Sequence, residues 1–318
     1  MVNDDLFASM RRPDLALLYR RDDPSDPRLG EVVACDHADY AACRVVILGC
    51  PQDEGVRRNR GRPGAARAPE AIRRCLYRMS AGQIPPGALL DLGDLHIQPE
   101  LEATHALQRA VVRRLVADGK RLVVLGGGND ISYPDCAGLV DAVGEALAIN
   151  LDAHFDVRSD ARRNSGTPYR QLLDEGLIRP DAFYELGAQP FAASPVYEAY
   201  LRALGVAVVY APELRAAGVA NTLRAILTRH TQPAVFWGLD MDVVRCADAP
   251  GVSAPNPLGI PGEDLCAAAA TAAADPRGRL LEISEVNPSH DIDDRTARLA
   301  AAAVWAFLAG ALVAPTSP

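Results

Sequence analysis

The sequence predicts a three-layer α/β/α fold around a mostly parallel central sheet. Three observations lead there. Short apolar runs alternate with longer runs of helical period. The short runs are continuously apolar, as in strands covered on both faces. Two of them end in closely spaced acidic residues, where the ligand crevice of an open α/β sheet lies. In order, the strand candidates are 44–48, 121–125, 146–151, 183–186, 206–210, 234–239 and 280–283. The helix candidates between them are 69–79, 101–118, 196–204, 219–229, 262–274 and 295–308. The segment 69–79 opens on Pro69, at a first-turn position where a missing N–H costs nothing. Strand–helix alternation of this kind argues for helices on both faces of a parallel sheet.

The chain has 318 residues, 49% of them hydrophobic, ample for one large core. No linker or composition break divides it, so one catalytic domain is expected over 41–312. An N-terminal extension, 1–40, would pack on it, and the tail 313–318, ending Pro315-Thr316-Ser317-Pro318, would be frayed. A formal charge of −8 argues against nucleic acid as a partner, yet a local arginine cluster can still attract a small anion. Seven dispersed cysteines without a CxxC pair fit a reducing cytoplasm rather than a disulfide scaffold. The start, Met1-Val2-Asn3-Asp4-Asp5, has no secretory pattern. The alanine-rich run from Leu299 to Val313 is short for a membrane span and reads as a buried closing helix.

The chemistry concentrates at two strand ends. Asp152, His154 and Asp156 follow the first at two-residue spacing, which in extended chain turns them to one side. Asp240 and Asp242 end the second. Carboxylates with one imidazole suit Mn²⁺ or another borderline first-row ion; a structural Zn²⁺ site would usually show thiolates. Asp152 or Asp240 could bridge two ions and leave room for a water whose pKa they lower. Gly126-Gly127-Gly128-Asn129-Asp130 lacks the lysine and hydroxyl of a phosphate loop, and reads as a tight turn that brings Asn129 to the crevice. These residues point to a metal-dependent hydrolase.

The same residues resemble the ureohydrolase superfamily of arginase, agmatinase and formimidoylglutamase. Its DAHxD motif stands as Asp152-Ala153-His154-Phe155-Asp156. Its SxDxD motif stands as Gly238-Leu239-Asp240-Met241-Asp242, with glycine for serine. Its ExNP motif stands as Glu285-Val286-Asn287-Pro288. The resemblance spans about Val45 to Leu308 and implies the arginase-like fold, a homo-oligomer and two Mn²⁺ ions. It makes Asp152 and Asp240 bridging ligands, Asp156 the completion of one site, and His154 with Asp242 that of the other. Where the family's GGGHD motif supplies a histidine, this chain has Asn129. An amide oxygen is a weaker ligand than imidazole, so the ion on that side is expected to be weakly held or absent.

The segments Asp53–Ala65, Asn164–Arg170 and Ala249–Pro257 are similar to the formimidoylglutamase branch. That branch hydrolyses N-formimidoyl-L-glutamate to L-glutamate and formamide in histidine degradation. The resemblance then gives Asp156 and Glu285 catalytic roles: Asp156 orients the attacking water and Glu285 pairs with the cationic substrate nitrogen. The substrate's carboxylates call for arginine forks. Arg57, Arg58, Arg62, Arg158, Arg162, Arg163 and Arg170 form the local supply. Arg57 and Arg170 lead, with Arg158 and Asn164 as further substrate contacts. Agmatinase and a guanidino-acid hydrolase are the enzyme alternatives, the first disfavoured because agmatine has no carboxylate. A non-catalytic regulatory protein of the same fold is the alternative that Asn129 keeps open.

Overall fold

Runs of valine, leucine and isoleucine form the middle of a twisted sheet in the structure, a computed structural model that describes residues 4–313. Among the described residues nine strands are present: β1 (Met10–Arg11), β2 (Val45–Gly49), β3 (Leu89–Leu95), β4 (Arg121–Leu125), β5 (Leu147–Leu151), β6 (Phe183–Ala188), β7 (Ala207–Tyr210), β8 (Val235–Asp240) and β9 (Gly278–Ser284). Their order is β1-β3-β2-β4-β9-β8-β5-β6-β7. Every pairing is parallel except that of β1 with β3. The tail expected to fray lies, apart from Val313, outside the described residues.

Alternate residues of each strand enter opposite cores, which makes the fold three-layered. Val45 and Ile47 pack with Ile72, Leu265 and Phe307 on one side. Val46 and Leu48 pack with Val112, Leu115 and Leu139 on the other. Both faces of β2 are therefore dry, and its sequence shows no polar alternation. The closing helix, Arg295–Leu312, is long and apolar enough to cross a membrane, but half of it is buried inside the protein. It packs on the helices Gly262–Ala274 and Ala68–Leu76.

Two strands have no counterpart in the sequence reading. β1 is two residues long, too short for any periodicity. β3 hides because Asp91 and Asp94 interrupt its leucines. Both acids meet Arg73, which reaches them from the helix Ala68–Leu76. Its Nε and Nη2 bond Asp91 at 2.7 and 2.9 Å, and its Nη1 bonds Asp94 at 2.5 Å. Asp91 also accepts from the Tyr77 hydroxyl and the Gly93 N–H. Breaking such a buried pair from one side leaves an uncompensated charge and costs about 3–5 kcal/mol. Arg73→Met is accordingly expected to lower the thermal midpoint by several degrees; a midpoint within about 2 °C of the parent would refute the pairing's weight.

The four central strands β4, β9, β8 and β5 run parallel and stand side by side, so their carboxyl ends open on one crevice. Gly126–Asn129 follow β4, Asp152–Asp156 follow β5, Asp240 ends β8 and Glu285 follows β9.

Candidate metal centre and substrate cleft

Close backbone approach builds the floor of the crevice. A Cβ on Gly127 would stand 1.7 Å from the Gln52 carbonyl oxygen, so only glycine lets the β4 turn lie against the β2 turn. The Glu285 N–H then donates to the Gly127 carbonyl at 2.9 Å, joining the ends of β4 and β9. Gly238, where the family has serine, leaves space for a neighbour: a Cβ there would lie 2.5 Å from the Tyr169 hydroxyl, which donates to Asn150 at 2.8 Å.

Two groups of side chains could each hold a cation, Asp152–His154–Asp242 and Asp152–Asp156–Asp240, with ligand atoms inside each group within 4.8 Å of one another. Asp152 belongs to both. His154 Nδ1 lies 3.1 Å from Asp242 and 3.5 Å from Asp152. The backbone sets the carboxylates through their own turns: the His154 N–H donates to Asp152 at 2.7 Å and the Asp242 N–H to Asp240 at 2.8 Å. Asp156 and Glu285 sit at φ +46° and +62°, strained for side-chain-bearing residues and held only by their surroundings.

The electrostatics favour a resident cation. Burial, then the charge of Asp242, pushes Asp152 up to about 6. Burial and like-charged neighbours raise Asp156 and Asp240 well above the carboxylate range, and burial does the same to Glu285. Asp242, with Asp152, holds His154 protonated far above its ordinary range. A proton on His154 thus stands where a divalent ion would relieve the same crowd of acids. Oxygen donors with one imidazole suit such an ion, so the residues present fit a two-metal centre.

Asn129 faces this group in an unexpected way. Its Nδ2 donates to Asp156 at 2.6 Å and to Asp152 at 3.1 Å, while its Oδ1 accepts from the Ser132 and Ser284 hydroxyls, both at 2.9 Å. The oxygen expected to meet metal is turned away from the carboxylates. A ligand role requires the amide to turn over, which both hydroxyls permit because each can accept as well as donate.

Behind Asn129 lies a buried acidic pair that the motifs do not reveal. Ser132 also bonds Glu282, and Gln108 donates to Asp135 at 2.7 Å. Burial pushes Asp135 up to about 7, and burial with the charge of Asp135 raises Glu282 well above its ordinary range. A raised carboxyl pKa means that the folded state holds the proton more tightly. The stability it contributes is complete below about pH 4 and is lost as pH rises through about 7. Asp135→Asn should flatten that loss when thermal midpoints are followed across this window; an unchanged profile would show that Asp135 carries none of it.

The cleft above the acids has a volume of about 380 Å³. Buried Asp240, Asp242 and Glu285 and half-buried Asp156 line it, together with half-buried Arg62 and exposed Arg60 and Arg158. Glu285 Oε1 accepts from the Asn129 N–H at 3.0 Å, whereas its Oε2 is buried without a partner. Arg62 is tied down by the Val252 and Ser253 carbonyls.

The structure places three of the expected substrate contacts outside the lining of this cleft. Arg57 is absent from this cleft: it leaves the helix Glu54–Arg58 on the outer side and pairs with Asp53 at 3.1 Å. Arg170 pairs with Asp174 one helical turn on, at 2.6 Å, and stacks over Tyr200. Asn164 spends its side chain closing its own loop, donating to Asp160 and accepting from the Gly166 N–H, and lines a neighbouring cavity instead. Arg158 does line the cleft, joined by Arg60. Nothing in the spacing of Arg60 sets it apart in sequence; it joins the cleft lining from a left-handed backbone at φ +61°.

The sequence profile of the arginase family matches residues 43–310. The chain belongs to the arginase family. Among other members of this family, the chain is similar to the formimidoylglutamase of Rhodococcus jostii. The two are 36% identical over 278 residues, covering 84% of this chain and 85% of that one. Of solved structures, it is similar to Trypanosoma cruzi formiminoglutamase with Mn²⁺, at TM-score 0.84 and 30% identity over 91% of this chain and 100% of that one. It is also similar to Bacillus subtilis formimidoylglutamase, at TM-score 0.85 and 28% identity over 99% and 100% of the two chains. In this arginase-family chain the three ordered motifs meet at one crevice, although they are far apart in sequence.

Proposed function

We propose that the protein hydrolyses N-formimidoyl-L-glutamate to L-glutamate and formamide at a manganese centre. The single observation that carries this is the polarity of the cleft, whose lining joins buried acids at the strand ends to the free guanidiniums of exposed Arg60 and Arg158. A substrate with a cationic amidine head and a carboxylate tail matches it end to end. The naming of the relatives supports the same substrate.

Asp152, His154, Asp156, Asp240 and Asp242 would hold the ions, with Asn129 joining if its amide turns. Manganese, when bound, supplies the Lewis acidity that lowers the pKa of a water and polarises the carbon it attacks. Asp156 orients that water and accepts its proton. Glu285 pairs with the amidine nitrogen and so fixes the electrophilic carbon. Arg158 and Arg60 take the carboxylates, which excludes head-to-tail reversal. Water adds to the formimino carbon, and the bond from that carbon to the glutamate nitrogen breaks. Water gives up both protons as its oxygen becomes the formamide carbonyl, and the departing nitrogen takes both and leaves as the ammonium of glutamate.

The test is a substrate panel on manganese-loaded protein: N-formimidoyl-L-glutamate, agmatine, arginine and short guanidino acids. Glutamate and formamide in equal amounts are expected. Urea from a guanidino compound, with neither product from the formimino substrate, would overturn the reading.

A further inference from the structure

Beside the cleft lies a second cavity of about 460 Å³. It shares Asn59, Arg60 and Arg158 with the cleft and is completed by Arg58, Asp160, Arg162 and Asn164. Its charges do not cancel. Arg58 is neutralised by Glu54 at 3.0 Å and Glu102 at 2.6 Å. Asp160 accepts from the neutral amide of Asn164 at 2.9 Å and so offsets one of the remaining positive charges. The guanidiniums of Arg60, Arg158 and Arg162 make no ion pair or hydrogen bond among the described residues, although most other arginines of this acidic chain do.

The placement of Arg158 and Arg60 is built rather than incidental. Arg158 lies across Gly166: a Cβ there would stand 2.6 Å from its Cδ and 2.8 Å from its Nε, so the glycine makes room for the side chain. The Arg158 N–H donates to the Gly166 carbonyl at 2.8 Å. Arg60 keeps its left-handed turn through bonds from its own N–H to the Arg57 carbonyl and from Gly61 to Val56. Three like charges around one basin repel one another, and a bound anion relieves them.

We propose that this basin is an outer carboxylate subsite, where the dicarboxylate end of the substrate docks before the molecule moves inward. Arg60 and Arg158, common to both cavities, hand the carboxylates from basin to cleft, and Arg162 acts in the basin alone. The proposal rests on the reading of the cleft as a dicarboxylate site. Its consequence is kinetic: a net-positive basin at a cleft mouth raises the association rate of an oppositely charged substrate, and salt screens the gain.

The experiment uses the full chain loaded with manganese and the substitution Arg162→Glu, at a residue that touches only the basin. At low ionic strength kcat/KM for N-formimidoyl-L-glutamate should fall about 10-fold while kcat changes less than about twofold. The difference should vanish near about 0.5 M salt. In parallel, calorimetric titration with glutarate, an unreactive dicarboxylate, should show about 5-fold weaker binding to the variant. Parental kcat/KM and salt dependence in the variant, with glutarate bound as by the parent, would overturn the subsite and mark Arg162 as a merely solvated charge. If glutarate binding depends on Arg162 but N-formimidoyl-L-glutamate is not hydrolysed, the subsite stands and the proposed substrate falls.

Discussion

Asp240→Ala is expected to remove metal and activity together. Asp240 ends β8, is 2% exposed, and closes the group Asp152–Asp156–Asp240. Without it two carboxylates remain to hold that ion. The rate should fall about 10⁴-fold or more, because metal activation contributes several kcal/mol and about 1.4 kcal/mol is a factor of ten. Metal content per chain and kcat, measured on the same preparation, check this. The metal-free variant should melt no lower than the metal-free parent, since one member of a crowd of like charges has left. A full complement of manganese in the variant would rule out Asp240 as a ligand, and a lower metal-free midpoint would make the effect structural.

Glu285→Gln is expected to keep the metal and lose about 10²–10³ in kcat/KM. The amide can still accept the Asn129 N–H through its oxygen, so the local turn survives. What disappears is the charge opposite the substrate cation, together with an acceptor, Oε2, that has no protein partner. Burial raises this carboxyl well above its ordinary range, and a cation beside it favours the anion. The loss is thus one of substrate and transition-state pairing, and metal analysis separates it from the first variant. A decrease below about threefold would remove Glu285 from the reaction.

Much of the scaffold was legible because the physics that makes it is local. Strands buried on both faces are predominantly apolar, and seven such runs, with Asn150, Glu185 and Glu282 inside three of them, coincide with β2 and β4–β9 to within about two residues at each end. The six long helical candidates are likewise present, from Ala68–Leu76 to Arg295–Leu312. β3 escaped because its acids are balanced by Arg73 from another element, and no local pattern reports a distant partner. The helix Ser132–Val143 escaped because the glycine turn before it reads as loop and Pro134 falls in its first turn.

The candidate site divides the same way. Carboxylates at strand ends, two residues apart, are chemistry written in consecutive residues: Asp152, His154 and Asp156 needed no fold to be singled out. The arginines did need one. Arg57 and Arg170 have spacing as suggestive as that of Arg60 and Arg158, yet helix phase turns the first two toward Asp53 and Asp174. Backbone torsion and a glycine cradle turn the other two toward the cleft. The same holds for Asn129, whose residue type predicts a weak oxygen ligand while the carboxylates of Asp152 and Asp156, which accept from its Nδ2, decide which end of its amide faces the acids. By itself, then, the sequence determined the layers, the crevice and the acids that line it, since periodicity and spacing are short-range properties of the chain. Only the tertiary structure decided which cations those acids face and how the asparagine is turned, because side-chain direction depends on partners brought from far along the chain.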